Sequence, residues 1–179
     1  MNRPPVHIRF GGCELTRSRH VGAFFNSPDE EYKSLMPFIS EGFACGTNVY
    51  LHDGKFDQDQ MVETFERLAS GSTDSPYPLS RIVCQMDWAT QRESDLRHLI
   101  EFEARINDVW QRHEDVVVCI CDAARLSGEA VVDIIRTHPV VVLGGRAHEN
   151  SFYLPPAEFL EQTGMKASPG RSLGNGRVI

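Results

Sequence analysis

A chain of 179 residues is long enough to bury the core of one domain and short for two. Its composition, 41% hydrophobic and 24% charged, is typical of a soluble globular protein. Neither a membrane-spanning apolar run nor a signal-peptide core is visible, so we expect a cytoplasmic protein that does not enter a membrane. The net charge of −7 comes without a clustered basic run, which argues against direct nucleic-acid binding.

The first half of the chain contains three apolar segments that we interpret as strands, at residues 20–25, 48–51 and 81–86. Ser27 and Pro28 predict the start of a helix that runs toward Gly46, and Pro37 predicts a kink or a split within it. We expect its buried side to carry Tyr32, Leu35, Met36, Ile39 and Phe43. Met61, Phe65 and Leu68 predict a second helix, and residues 71–78 (GSTDSPYP) are typical of a loop.

Residues 101–156 carry the clearest pattern of the chain. A long amphipathic helix is predicted over residues 90–112, followed by an apolar strand at 116–121. Ser127 can cap the next helix, which ends before Pro139. A strand at 140–143 runs into two glycines, and residues 152–154 are predicted to be the return strand of a hairpin. A short helix then ends at Gly164.

Strands that alternate with helices predict an α/β fold with three layers, a mostly parallel sheet and a closing β-hairpin. We assign the domain to residues 20–164. Residues 1–19 are interpreted as an N-terminal extension with one short, half-exposed strand, and residues 165–179 as a flexible tail.

Ligands of open parallel sheets bind beyond the carboxyl ends of the strands, which defines the candidate site. The ligand-binding residues predicted on this basis, together with a histidine at the start of the first strand and an aromatic residue at its end, are His20, Phe25, Asn26, Asp53, Asp87, Trp88, Asp122 and Arg146. For any one of the aspartates, a simple capping or turn role is the commoner explanation.

The motifs of known catalytic and cofactor sites are absent. There is no phosphate-binding G-x-x-x-x-G-K-[ST] loop, no G-x-G-x-x-G, no G-x-S-x-G and no H-E-x-x-H. The five cysteines include no C-x-x-C pair, and Cys119 and Cys121 are interpreted as small buried hydrophobic residues on one strand face. The sequence therefore predicts no cofactor, no metal and no catalytic residue.

Several segments together resemble the MEDS family, the methanogen/methylotroph DcmR-type sensory domains. They are HVGAFFNSPDEEY at 20–32, PFISEGFACG at 37–46, DGKFDQDQM at 53–61, FEARIND at 102–108, VVDIIRTHPVVVLGG at 131–145 and ENSFYLPP at 149–156. The resemblance implies a RecA-like fold without a phosphate loop that senses small, hydrocarbon-derived molecules. It also implies a regulatory protein partner, such as a kinase, an anti-sigma factor or a transcription factor.

Two departures from the family pattern bear on function. The first strand of the family typically reads His-x-Cys-x-x-aromatic, and here Gly22 stands at the cysteine position between His20 and Phe25. A helix and a strand that usually precede the D-G-x-F-D segment are missing, so the chain resembles a shortened, stand-alone member. An exposed sheet edge would favour pairing with another chain, so we expect a homodimer or a dedicated partner.

Three functions remain open on the sequence alone. The first is a non-catalytic sensory domain that binds a small ligand and signals through a partner or through self-assembly. The second is an interaction adaptor that has lost its ligand pocket. The third is a degenerate nucleotide-binding or hydrolytic enzyme that uses Asp87, Asp122 and Arg146.

Overall fold

The computed structural model describes residues 8–15, 19–44, 48–52, 61–63, 65 and 79–165. The strands are β1 Arg9–Phe10, β2 Cys13–Glu14, β3 His20–Phe25, β4 Asn48–His52, β5 Ser80–Gln85, β6 Val116–Asp122, β7 Val140–Leu143 and β8 Arg146–Glu149. The helices are α1 Pro28–Ala44, α2 Glu93–Trp110, α3 Gly128–Thr137 and α4 Pro156–Thr163, with short 3-10 helices at Asp87–Gln91 and Ala123–Arg125. Residues 61–63 are also helical. The predicted loop at 71–78, the tail beyond residue 165, Leu68 and Asp53 lie outside the described residues.

The main sheet of the described residues has the strand order β4-β5-β6-β3-β7-β8. The first five strands in this order are parallel to their neighbours, and β8 is antiparallel to β7. Strand β3 is therefore central, with β6 on one side and β7 on the other. The prediction of an α/β fold with a mostly parallel sheet and a closing hairpin is confirmed.

Alternating side chains of the central strands enter two separate cores, one on each face of the sheet. On one face, Phe24, Cys119 and Ile82 pack among residues of α2, α3 and α4. On the other face, Phe25 and Val118 pack against α1 and the β1–β2 hairpin. Both faces of β3, β5 and β6 are thus buried, which explains the continuous apolar run of β6 at residues 116–121.

The β1–β2 hairpin belongs to the second core. Ile8, Phe10 and Leu15 are buried there, and the Ala147 amide of β8 donates to the Gly11 carbonyl at 2.9 Å. Residues 8–15 therefore cover one sheet face beside α1, and Phe10 packs on Phe38 with ring centroids 5.1 Å apart.

Helix α1 starts as predicted, because the Ser27 hydroxyl accepts the Glu30 amide at 3.3 Å. The prediction of a split at Pro37 is wrong, since α1 continues through it to Ala44. The predicted burial of Tyr32 and Met36 is also wrong, because Tyr32 is 65% exposed and Met36 is 37% exposed. Among the described side chains, the buried stripe contains Leu35, Phe38 and the partly buried Ile39, and Met36 lies off it. The Phe43 side chain lies outside the described part of the chain.

The return strand of the hairpin is β8, not residues 152–154 as predicted. Gly144 and Gly145 have φ values of 56° and 71°, as a two-residue type I′ turn requires, so pairing resumes at once with Arg146 opposite Leu143. The sequence of β8, RAHE, is mostly polar and exposed, so it lacks the apolar pattern by which strands were predicted. Phe152, in the predicted strand, is 72% exposed.

No helix within the described ranges is long and apolar enough to cross a membrane.

Strand β3 approaches the residue that follows α3 closely at Gly22. A Cβ at this position would lie 2.9 Å from Cγ and 3.1 Å from Nδ1 of His138, which follows α3. The His138 ring is fully buried, so it has no room to retreat. The absence of a side chain at residue 22 thus allows β3 and His138 to pack together.

We predict that Gly22→Ala lowers the free energy of unfolding by about 1–3 kcal/mol, because the added methyl group collides with the His138 ring. Urea denaturation measures the change. The matched control is Gly128→Ala, whose Cβ would meet nothing within 4 Å, and it should change stability by less than about 0.5 kcal/mol. Equal losses in the two variants would contradict the packing argument.

Candidate functional site

Two of the predicted site residues meet at the carboxyl ends of β5 and β6. Asp87 Oδ1 accepts the Asp122 amide at 3.0 Å, and Asp87 Oδ2 accepts from Gln85 Nε2 at 2.8 Å. Asp122 Oδ1 accepts the Ala124 amide at 3.0 Å and so caps the following 3-10 helix. Asp122 therefore has the local capping role that aspartates often have at strand ends, whereas the Asp87 carboxylate links the ends of β5 and β6.

This edge of the sheet is acidic. Partial burial and the nearby carboxylates of Asp87 and Asp122 raise the pKa of Glu31 in α1. Arg146 is exposed on β8, with β3 and β7 between its strand and β6. The described residues thus do not bring Arg146 to the aspartate pair, as a phosphate-binding enzyme site would require.

Asn26 and Phe25, at the end of β3, serve the local fold. The Asn26 backbone amide and its Nδ2 donate to Glu30 Oε2 at 3.0 and 3.3 Å, which fixes the entry into α1. Phe25 is buried on the α1 side of the sheet. Both residues thus have local roles at the end of β3, and Asp53 lies outside the described residues.

His20 lies at the amino end of β3, in a different environment. It is buried together with Glu103 of α2, Cys119 of β6 and His138, which follows α3. We call these four residues the polar cluster. Their nitrogen, oxygen and sulfur atoms all lie within 4.8 Å of one another, between the sheet and the helical layer.

The Glu103 Oε2 atom is the centre of the polar cluster. It lies 3.0 Å from His20 Nε2, 3.2 Å from His138 Nε2 and 3.4 Å from Cys119 Sγ. Cys119 Sγ also lies 3.5 Å from His20 Nε2. The two imidazole rings pack with centroids 4.2 Å apart. One carboxylate oxygen thus faces three potential ligand atoms from three other elements.

Asn107 determines the tautomer of His20. Its Nδ2 donates to the carbonyls of Glu103, Ala104 and Thr137 at 2.9, 3.3 and 2.7 Å, so its Oδ1 must be the atom that faces the ring. This oxygen lies 3.0 Å from His20 Nδ1 and can only accept a hydrogen bond. Nδ1 of His20 therefore carries a proton.

Neighbouring acceptors also determine which ring nitrogen of His138 carries a proton. Its Nδ1 lies 2.8 Å from the Ile134 carbonyl, which can only accept. The Thr137 hydroxyl donates to that carbonyl at 2.8 Å, so it also acts as an acceptor toward Nδ1, at 3.1 Å. Nδ1 of His138 is protonated, and its Nε2, directed toward Glu103, forms no well-directed hydrogen bond within the described part of the chain.

Burial opposes the charge of Glu103, but the two histidines outweigh it and lower the pKa of its carboxyl group to about 2. Burial and the neighbouring His138 lower the pKa of His20, although Glu103 opposes this. The Cys119 pKa is raised by its contact with Cys84 and by burial. The carboxylate is thus held ionised in a site from which solvent is excluded.

A small cavity of about 20 Å³ borders the polar cluster on the α2 side of the sheet. The cluster contributes His20, Glu103 and Cys119 to its wall, and the remaining lining is mostly apolar. The other lining residues are Met61, Phe65, Cys84, Gln85, Met86, Trp88, Leu99, Phe102, Ile106, Trp110 and Val117. Of the eight predicted site residues, His20 and Trp88 line this cavity.

Sequence reasoning missed Glu103, Cys119 and His138 as site residues. A glutamate on an amphipathic helix is normally exposed, and histidines 118 positions apart show no motif spacing. Cys121 agrees with the interpretation of a small buried hydrophobic residue, whereas Cys119 contacts two polar side chains. The available signal was that Glu103 and His138 lie in the family-like segments FEARIND and VVDIIRTHPVVVLGG.

We predict that Glu103→Gln lowers the free energy of unfolding by about 3 kcal/mol, because it removes the charge that faces both histidines in a buried site. The matched control is Glu101→Gln on the same helix. Glu101 is partly exposed, and its Oε1 lies 3.9 Å from Arg105 Nη1. Replacing it should therefore lower the free energy of unfolding by less than about 1 kcal/mol. Denaturant titration of the two variants compares them, and equal effects would contradict the central position of Glu103.

Comparison with known proteins gives a family match. The family described as "MEthanogen/methylotroph, DcmR Sensory domain" (MEDS) matches residues 46–139, just over half of the chain. The match includes Glu103, Cys119 and His138, while His20 and the family-like segments at 20–32 and 149–156 lie outside it. No curated protein matches this chain. The chain belongs to the MEDS family of sensory domains.

Proposed function

We propose that this protein is a non-catalytic sensory domain that binds a small molecule in the cavity beside the polar cluster. The family supports a sensory or regulatory role in general. The observation that carries the finer proposal is the cavity itself, where an apolar wall meets three polar side chains of the cluster. A mostly apolar pocket with a few convergent polar groups is the usual form of a small-molecule site.

The lining of the cavity favours a small ligand that is mainly apolar and carries one polar end. Phe65 packs on Trp110 with ring centroids 5.3 Å apart, and on Phe102 at 6.1 Å. The indole N–H of Trp110 is buried and has no hydrogen-bond partner among the described residues. A ligand acceptor would satisfy this donor, and the aromatic rings would contact a hydrocarbon part.

The size of the cavity gives the ligand a way to act on the fold. About 20 Å³ accommodates roughly one water molecule, so a larger ligand has to displace part of the wall. Met61 and Phe65 come from the segment before β5, and the other walls are the sheet and α2. Displacing these two side chains is the conformational response that we propose couples binding to signalling.

The local bonding of the alternative catalytic residues supports a non-catalytic role. The Asp87 carboxylate accepts the Asp122 amide, the Asp122 carboxylate caps a 3-10 helix, and Arg146 lies apart from both on β8. The adaptor alternative predicts no small ligand and a strong protein partner. The ligand experiment below separates it from the sensory proposal.

For signal output we propose a homodimer or a regulatory protein partner that covers the β4 edge of the sheet. Within the described residues, β4 pairs only with β5, which leaves its other side for strand addition. The partner class favoured by the family resemblance is a kinase, an anti-sigma factor or a transcription factor.

We predict that native mass spectrometry of the protein purified from its host detects a retained small molecule that is lost on denaturation. Cys84→Met should abolish retention, because Cys84 lines the cavity and the longer side chain fills it. The control Cys121→Met makes the same substitution at a buried residue outside the cavity lining, and it should retain the molecule. An empty wild-type protein, or equal retention by both variants, would refute this ligand site.

Assembly gives a second, independent prediction. We expect light scattering to show a dimer, or a complex with a host protein, since β4 presents an unpaired sheet edge within the described residues. A monomer that co-purifies with no partner would rule out this route of signalling and leave the ligand result unaffected.

A further inference from the structure

We infer that the polar cluster is a metal site in which His20, Glu103, Cys119 and His138 hold one zinc-type divalent cation. The inference does not depend on the proposed ligand, since all four ligand atoms belong to the chain itself. It departs from the sequence analysis, which predicted no metal because the four residues are far apart in the chain and share no motif.

The polar cluster holds few protons for its number of acceptor atoms. Both Nδ1 atoms carry protons that are donated to Asn107, Ile134 and Thr137. Without a metal, a ring can donate to the Glu103 carboxylate only if Nε2 carries a second proton, which places a cationic imidazolium in a buried site. If both rings are neutral, their Nε2 lone pairs face the carboxylate oxygen, and the Cys119 thiol is then the one proton donor for three acceptors. A cation placed among them satisfies all of these lone pairs.

Four contacts between the ligand atoms are close to the spacing in a tetrahedral zinc site. Zinc bonds of about 2.0–2.1 Å to nitrogen and oxygen and about 2.3 Å to sulfur place tetrahedral ligand atoms roughly 3.3–3.6 Å apart. The contacts in the cluster are 3.0 and 3.2 Å for nitrogen to oxygen, 3.4 Å for sulfur to oxygen and 3.5 Å for sulfur to nitrogen. For these four pairs, shifts of a few tenths of an ångström would give the zinc spacing, and the other two pairs lie within 4.8 Å.

Hydrogen bonds from Nδ1 hold both histidine rings of the polar cluster in place. Histidines that bind metals through Nε2 usually donate Nδ1–H to a carbonyl or another acceptor, which fixes the tautomer and the ring orientation. Asn107 does this for His20, and its own amide is held by three backbone carbonyls. The Ile134 carbonyl does it for His138. Both rings are thus oriented before any metal arrives.

Charge balance also favours a divalent cation. Binding releases the Cys119 thiol proton to solvent, and the thiolate and the Glu103 carboxylate then neutralise the two positive charges. Two neutral imidazoles complete a site with no net charge, which suits a location where all four side chains are buried. Four protein ligands without exposure to solvent are typical of a structural zinc site rather than a catalytic one.

The metal would connect the parts of the fold that form the cavity wall. Its ligands come from β3, α2, β6 and the junction between α3 and β7, and three of them line the cavity. We therefore infer that metal binding stabilises the cavity wall, as expected where binding is coupled to folding.

The test is metal analysis of the full-length wild-type protein, followed by replacement of zinc with Co²⁺. We expect about one metal ion per chain. The Co²⁺ form should show intense visible d–d bands of tetrahedral geometry and a thiolate-to-cobalt charge-transfer band in the near ultraviolet. Wild-type protein that holds no stoichiometric zinc and gives no such spectrum would overturn the inference, without any variant having to fold.

Paired cysteine variants identify the sulfur ligand. Cys119→Ser should remove the charge-transfer band and weaken zinc binding roughly tenfold or more. The control is Cys121→Ser, two residues along β6 on the same buried sheet face and outside the cluster, which should keep the band and the affinity. A band that survives Cys119→Ser, or that is lost equally in Cys121→Ser, would overturn the assignment. If a variant does not fold, the charge-transfer band of the wild-type Co²⁺ protein decides the question. Absence of that band would argue against a thiolate ligand.

Discussion

The packing of α2 on the sheet depends on the Glu103 carboxylate, which is buried among two imidazoles and a thiol. Burying an ionised carboxylate is unfavourable unless partners surround it, and here the partners come from β3, β6 and the end of α3. This fixes how α2 lies on the sheet. It also explains why Gly22 has no side chain, since the His138 ring occupies that space.

The site that emerges is not at the usual place for an open parallel sheet. Ligands of such sheets generally bind beyond the carboxyl ends of the strands, and there Asp87 links two strand ends while Asp122 caps a 3-10 helix. The cavity lies instead on one face of the sheet, beneath α2. We propose that this cavity, whose lining includes Met61, Phe65 and three residues of the polar cluster, binds the small molecule.

The elements with strong local signals could be predicted from the sequence, and long-range polar contacts could not. Ser27 and Ser127 identified helix starts, and the apolar run of β6 identified a strand buried on both faces. Strand β8 was missed because its polar residues lie on an exposed edge. The polar cluster was missed because each member has a common structural explanation alone, and only the β3–β6 pairing and α2 packing bring them together.

Asn107 and the Ile134 carbonyl accept the Nδ1 protons of His20 and His138. In a neutral ring this leaves Nε2 with a lone pair directed toward Glu103, which the metal site requires. Nitrogen-15 NMR of the imidazole side chains tests this most directly, since it reports which ring nitrogen carries hydrogen. The account predicts protonated Nδ1 on both His20 and His138. A neutral ring with its proton on Nε2 at either residue would contradict the account, since that nitrogen would then be a donor and could not bind a metal.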